Sequence, residues 1–379
     1  MKQNYTATAC QQARGPKTAL TLYMHRFLTL PRFCRMALVV ALLTGCLSVQ
    51  NARAVEPVDA AAKAYGWLAS QMTTRGLIAS YTGGTQAYTY DQSVAVIAFS
   101  VAGDTVRAKT ILLAMQKLQN SSGSFYGSYS LSTLKAGDAS QWVGANAWVA
   151  LAVASYGKIT GDHSFDAMAK KALAWCLKYQ QSDGGLNGGI GSNGKAVTWA
   201  STEHNLDAYA ACRYFGLPAA TKIKSFLDNV VWDARLLRFY TGRKDPSIFS
   251  DVNALGVLAL GASGTRSYGS ALSFNELRML NTQVNTRCIA TGFDFDASPA
   301  NDVWLEGTAQ CALAYSVAAK PVSWNYYTSQ IILDQDASGG VQYSMKGTTD
   351  NHFTFSTVNC VSSTGWLVLV VANYNPMRP

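Results

Sequence analysis

Asp91-Gln-Ser-Val-Ala-Val-Ile-Ala-Phe99 opens on an acid and runs at once into a helix of small apolar residues. The arrangement recurs at Gly144-Ala-Asn-Ala-Trp-Val-Ala-Leu151, Glu203-His-Asn-Leu-Asp-Ala-Tyr-Ala210, Asp251-Val-Asn-Ala-Leu-Gly-Val-Leu258, Glu306-Gly-Thr-Ala-Gln-Cys-Ala-Leu313 and Ser363-Thr-Gly-Trp-Leu-Val-Leu369. Successive starts lie 53, 59, 48, 55 and 57 residues apart. A period of that size marks a repeated supersecondary unit. Beyond their first turns these helices are nearly free of charge and rich in Ala and Gly, which suits helices packed on every side at short interaxial distance.

Between them lies a second set with one wet face: Asp59–Gln71, Thr105–Leu118, Ser164–Gln180, Ala219–Val230, Ser273–Asn285 and Tyr326–Leu333. In Asp166-Ala-Met-Ala-Lys-Lys-Ala-Leu-Ala-Trp-Cys-Leu-Lys-Tyr179 the apolar residues fall at i, i+3, i+4 and i+7, with Lys170, Lys171 and Lys178 elsewhere. Most of this outer set ends in a glycine-rich turn and then an aromatic or aliphatic residue, as in Ser122-Gly-Ser-Phe-Tyr126, Asp183-Gly-Gly-Leu-Asn187 and Ser338-Gly-Gly-Val-Gln-Tyr343. Glycine there stops a helix. The stretches from Gly123 to Gln141 and from Gly184 to Ser201 exceed ordinary helix connections, the mark of a functional face. The expected fold is all-α: an (α/α)6 barrel of six helical hairpins, inner helices parallel, with the active-site mouth at the inner-helix N-termini. Residues 55–379 read as one domain, since no Pro/Ser-rich linker interrupts them.

On hairpin count, inner/outer alternation and polar inner-helix starts, the chain resembles the six-hairpin glycosidase superfamily over about residues 56–376. The turn Gln180-Gln-Ser-Asp-Gly-Gly-Leu186 is also similar to the glycine turns of terpenoid-cyclase toroids, but the chain has no Asp-x-Asp-Asp motif to go with it. The six-hairpin resemblance implies an enzyme acting on carbohydrate.

Apolar residues make up 49% of the 379 and charged ones 14%, enough for a large core. The net charge of +9 comes mostly from residues 1–54, where Lys2, Arg14, Lys17, Arg26, Arg32, Arg35 and Arg53 stand with no acid. The rest carries 24 basic against 22 acidic groups, so no electrostatic footprint for nucleic acid remains. The basic stretch precedes Met36-Ala-Leu-Val-Val-Ala-Leu-Leu-Thr-Gly-Cys-Leu-Ser-Val49, the length of a signal h-region and short for a bilayer span. Ala52-Arg-Ala54 supplies a cleavage pattern, placing the mature start near Val55; Leu43-Thr-Gly-Cys46 is the alternative, a lipobox whose acylated cysteine would be the one membrane tie. The expected location is therefore periplasmic or secreted from a bacterium, or the outer membrane as a lipoprotein. The mature part keeps Cys176, Cys212, Cys288, Cys311 and Cys360, without CxxC or Cys/His spacing, so core packing is expected, no metal site, and at most a disulfide. No cofactor is implied, and the expected state is a monomer.

The acidic starts would share the mouth of such a ring. A first-turn acid is favoured by the helix dipole whether or not it has a function. Asp251 fits that explanation, Asp302 reads as a plain N-cap, and Asp91 is ambiguous within Tyr88-Thr-Tyr90. Glu306 lies beyond capping-box reach. Glu203 and Asp207 are like charges at i, i+4, beside His204 and Asn205, which destabilises a plain helix and raises a carboxyl pKa as a general acid requires. Glu203, Glu306 and Asp91 are thus the candidate catalytic residues. Carboxylates on alternate inner helices would lie ~7 Å apart if neighbouring axes are ~9–10 Å apart, which leaves room for the water of an inverting glycosidase.

Trp142, Trp148, Trp199, Trp304, Tyr88, Tyr90 and Tyr126 fall on the mouth side, where aromatic faces suit the apolar faces of pyranoses. With His204, Asp207, Asp251 and Asn146, all of these but Trp199 form the candidate substrate-binding set. The reading is an exported glycoside hydrolase cleaving an oligo- or polysaccharide, probed against two others. A lyase or epimerase would use His204 and a tyrosine, and a uronate lyase would need cations, for which Lys195, Arg243 and Lys244 are the candidates. A non-catalytic polysaccharide-binding component of exopolysaccharide assembly would keep the aromatics and tolerate amides in place of the acids.

Overall fold

The computed structural model describes residues 55–263, 266–350 and 353–379. The segment expected to direct export, with Ala52-Arg-Ala54 and Cys46, lies outside the described residues. Twelve α-helices alternate along the described chain: α1 (Pro57–Ser70), α2 (Thr89–Val101), α3 (Thr105–Leu118), α4 (Val143–Thr160), α5 (Asp166–Cys176), α6 (Thr202–Tyr214), α7 (Ala219–Asn229), α8 (Ser250–Leu260), α9 (Ser270–Met279), α10 (Leu305–Val317), α11 (Pro321–Asp334) and α12 (Val361–Val371). The even-numbered helices are the inner set. Each packs on the next, α2 on α4, α4 on α6, α6 on α8, α8 on α10, α10 on α12, and α12 back on α2, so the ring closes.

Burial explains the two compositions. From Val361 to Val370 every residue of α12 is buried, and α10 is buried from Leu305 to Tyr315. In α7 only Ile223, Phe226 and Leu227 are buried, a single stripe. Each outer helix packs chiefly on the inner helix before it, and α1, which has none before it, packs on α12. Inner-to-outer connections take three to nine residues, whereas outer-to-inner ones take 18 to 26. The long connections all gather at the inner-helix N-termini.

These connections carry short antiparallel ribbons: β1 (Gln86–Tyr88), β2 (Ser128–Ser130) and β3 (Ala136–Asp138) in one sheet, then β4 (Gln141–Trp142) with β5 (Gly189–Ile190), β6 (Trp232–Asp233) with β7 (Arg238–Phe239), β8 (Leu280–Val284) with β9 (Ile289–Phe293), and β10 (Thr349–Asp350) with β11 (Phe353–Thr354). The helix expected over Ser273–Asn285 ends at Met279, because Leu280–Val284 pairs with Ile289–Phe293 as a hairpin of alternating exposure. Asp302, expected to cap a helix, lies ahead of α10, whose N-cap position is Trp304. Its carboxylate instead accepts from the N–H groups of Val303, Lys346 and Gly347 and from the Thr348 hydroxyl, pinning the connection before α12.

One device repeats six times. The fourth residue of every inner helix is an amide or hydroxyl that holds the backbone N–H of the segment entering the ring. Gln92 Oε1 accepts from Ile78 N at 2.8 Å, Asn146 Oδ1 from Phe125 N at 2.7 Å and Asn205 Oδ1 from Leu186 N at 2.7 Å. Asn253 Oδ1 accepts from Phe239 N at 2.9 Å, Thr308 Oγ1 from Phe293 N at 2.9 Å and Thr364 Oγ1 from Val341 N at 3.0 Å. Gln92, Asn146 and Asn205 also donate to the carbonyl of the same residue, closing a two-bond clasp. The glycines of the turns permit the approach: Gly184 sits at φ +90°, and a Cβ there would come 2.2 Å from the Lys222 carbonyl. All five cysteines among the described residues are free thiols, four of them buried. No described helix is long and apolar enough to cross a membrane.

Candidate active site

The second position of each inner helix holds, in ring order, Tyr90, Gly144, Glu203, Asp251, Glu306 and Ser362. All but Gly144 line one cavity of about 820 Å³ at the mouth of the barrel. Three consecutive inner helices therefore present three carboxyl groups to the same space. Gly144 is filled from next door: a Cβ there would lie 2.3 Å from Cδ2 of His204. Asp91 is offset by one residue, third in α2 where α6 has His204, and still reaches the cavity wall from beside Tyr81 and Tyr88.

Burial with few compensating donors pushes these acids up. Glu203 stands well above the usual carboxyl range, first through burial and then through Asp251 and Glu306. Glu306 is pushed to about 8 by burial, with Asp91 and Asp251 adding to the rise and the Tyr90 and Ser362 hydroxyls pulling it back. Tyr90 donates to Glu306 Oε1 and accepts from Trp366 Nε1 at 2.8 Å, while Gln310 Nε2 donates to Glu306 at 3.2 Å. Burial lifts Asp251 to about 7, tempered by its own N–H and by that of Val252 at 2.7 Å. It lifts Asp91 to about 7 as well, tempered by the Ser80 hydroxyl. Burial lowers His204 to about 4, so its imidazole is neutral at neutral pH.

Two aromatic clusters line the cavity with the acids. Trp142 and Trp199 lie with ring centres 5.5 Å apart, and Trp199 sits 5.5 Å from the His204 ring. In the second cluster, Phe249 and Phe295 lie 4.2 Å apart, Phe295 meets Trp304 at 5.2 Å and Phe355 at 5.1 Å, and Tyr343 stacks on Phe355 at 5.2 Å. Arg243 reaches the cavity already committed: it grips Asp183 with two N–H groups at 2.7 and 2.8 Å and Asn187 with a third. Lys195 and Lys244 do not line the cavity.

The structure thus brings Asp91, Glu203, His204, Asp251, Glu306, Tyr88, Tyr90, Trp142 and Trp304 of the expected set to one surface. Four expected residues stand off it. Asn146 is a backbone clasp, as above. Trp148 is buried with its ring 5.0 Å from Tyr90 and 5.9 Å from Trp366, closing the floor. Asp207 lies one turn below Glu203, fully buried, its carboxyl raised well above normal by burial, Glu203 and Asp251. Tyr126 packs on Tyr129 at 6.1 Å. Phe249, Phe295, Phe353, Phe355, Tyr343 and Gln310 are wall residues that the sequence reading did not select. Phe249 had a signal: Tyr88, Trp142, Phe249 and Trp304 all occupy N-cap positions of inner helices, a register visible once the helix starts are aligned. Tyr343 ends the glycine turn of the connection before α12, and Phe353 and Phe355 come from its later part, beyond the repeated turn.

No family model matches the chain, and no curated protein matches it. Solved structures do. A glycosidase variant in complex with glucose is similar with a TM-score of 0.63 at 10% identity, over 85% of this chain and 97% of that one. A novel alpha-amylase from Clostridium perfringens is similar at 0.62 and 10%, over 83% and 98%, and a D-mannose isomerase at 0.62 and 11%, over 83% and 96%. The chain shares the (α/α)6-barrel fold with these structures, the fold expected from its sequence.

Proposed function

We propose that the protein is an exported glycoside hydrolase that cleaves an oligo- or polysaccharide with inversion. The observation that carries this reading is the placement of Glu203, Asp251 and Glu306 at equivalent positions of three consecutive inner helices, inside one aromatic-walled cavity. Glu203 is the proton donor. It opens onto the cavity, and every influence on its carboxyl favours the protonated form, so it can deliver a proton to the leaving oxygen. Glu306, one helix further round than Asp251, is the base. Tyr90, Gln310 and Ser362 surround its carboxyl with donors that steady the anion while it takes a proton from water. Alternate helices leave the space between the two that such a water needs. Arg243, bound to Asp183, has no free fork for a uronate, which weighs against a lyase.

A second reading is sugar isomerisation, favoured by one observation: His204, a neutral imidazole on the cavity wall with Nδ1 unpartnered among the described residues, has the form of a base. The basic, then apolar, N-terminal segment supports export, with Ala54 or Cys46 as the processing point, and the acid-rich cavity needs no second subunit, in keeping with a monomer. Incubating the purified protein with a panel of bacterial and plant glucans, and following reducing ends and anomeric configuration by NMR, tests the assignment. New reducing ends of inverted configuration are expected. A product of unchanged length sinks the hydrolase in favour of the isomerase, and a retained anomer sinks the acid/base pair.

A further inference from the structure

The sign of the cavity wall is one-sided. Asp91, Glu203, Asp245, Asp251 and Glu306 line it, and Arg243, the one Lys or Arg among the described lining residues, is spent on Asp183 and Asn187. Among the described residues no free Lys or Arg answers the cluster. Burial instead raises Glu203, Asp251 and Glu306, with neighbouring carboxyls adding to the rise at Glu203 and Glu306.

A second observation concerns Gln310. It stands one turn below Glu306, 3% exposed, and its amide nitrogen is used on Glu306 Oε1. Its carbonyl oxygen is buried on the cavity wall with no partner among the described residues. What remains unpaired there is therefore an acceptor beside carboxyl groups. A hydroxyl would satisfy one of these oxygens with its single proton. An ammonium carries three donors and no acceptor, so it satisfies several at once. The indole faces of Trp142 and Trp199 give a cation a third favourable surface.

We propose that the sugar taken by this cavity is an amino sugar with a free ammonium group, seated between Asp251, Glu306 and the carbonyl oxygen of Gln310. The inference rests on the glycosidase reading and names its substrate class. A bound ammonium favours the ionised forms of Asp251 and Glu306, so binding near neutral pH expels protons and leaves Glu306 ready as the base. Neutral hexoses lack that charge, and anionic sugars are repelled.

Calorimetric titration of the purified protein with glucosamine, N-acetylglucosamine and glucose oligomers of equal length decides it, in two buffers of different ionisation enthalpy. The free amines are expected to bind at least ~10-fold more tightly, a difference of about 1.4 kcal/mol, to release protons, and to lose that advantage in Gln310→Leu and Asp251→Asn. If either variant fails to fold, the proton release and ligand ranking on the unaltered protein stand as the test. Equal affinities across the three oligomers, or equally tight binding of oligolysine, overturn the proposal. Cleavage of neutral glucans without preference for amines would sink the subsite and leave the hydrolase intact, whereas tight amine binding without new reducing ends would do the reverse.

Discussion

Gly144 and His204 share one volume: the imidazole occupies the space that a side chain at 144 would need, with Cδ2 2.3 Å from where a Cβ would stand. The ring of carboxyl groups is complete on the α6 side only because α4 contributes nothing there. Gly144→Ala must push the imidazole, and with it Trp199, out of place. We expect kcat/KM to fall on the order of 10²-fold, the usual cost of displacing a site by about an ångström, while circular dichroism stays native. Unchanged kinetics would mean that His204 has no part in the site.

Glu203→Gln removes the proton donor and keeps the shape. Hydrolysis of sugars with poor leaving groups is expected to drop ~10²–10⁴-fold, with binding retained by calorimetry and with aryl glycosides of low leaving-group pKa largely spared. Full activity of this variant would take the role of proton donor away from Glu203.

The pH profile follows from Glu306. A base works ionised, so activity should rise with pH through a limb near 8, the value to which burial pushes this carboxyl. The Tyr90 hydroxyl lowers that value by donating to it, so Tyr90→Phe should move the limb to higher pH. A limb that stays put would assign the base to Asp251 or Asp91.

Stability should run the other way. Asp91 and Asp251 rise from 3.8 to about 7 and Glu306 from 4.5 to about 8, so the folded chain binds more protons than the unfolded one between those values. Raised carboxyls stabilise fully below the unfolded value, and that contribution disappears as pH climbs through the folded one. Thermal midpoints are therefore expected to fall from about pH 4 to about pH 8, with a shallower slope in Asp207→Asn. A midpoint that rises across this window would contradict the buried cluster.

Asn146 and Asn205 test the clasp. Alanine at either position orphans a buried N–H and carbonyl, at a cost of about 1–3 kcal/mol by urea unfolding, with activity per folded molecule unchanged. Lost turnover at full stability would return Asn146 to the substrate.

The architecture was legible because two periodicities coexist in the chain, one of about 55 residues between helix starts and one of 3.6 within the outer helices, and neither depends on detail. The site was legible only where a residue had no local reason to be there. Glu306 and the Glu203 and Asp207 pair violate helix rules, and the structure puts Glu203 and Glu306 on the cavity. Asn146 broke the apolar pattern just as visibly, yet for a backbone that arrives from the preceding connection, a contact no local window contains. Asp302 looked like a cap because its neighbours in sequence are a helix start, while its partners, Lys346, Gly347 and Thr348, lie more than forty residues on. Phe353 and Phe355 wall the cavity from a stretch with neither period, so nothing before the fold marked them.

Because α1 packs on α12 and α12 on α2, the first and last helices of the described chain are neighbours in the finished ring. A chain that has emerged only as far as α10 owns Glu203, Asp251 and Glu306, yet they face an open gutter with no far wall. Tyr90 would then have no Trp366 to hold it and no fixed distance to Glu306. The cavity is thus complete only once the C-terminal helix docks against the N-terminal ones.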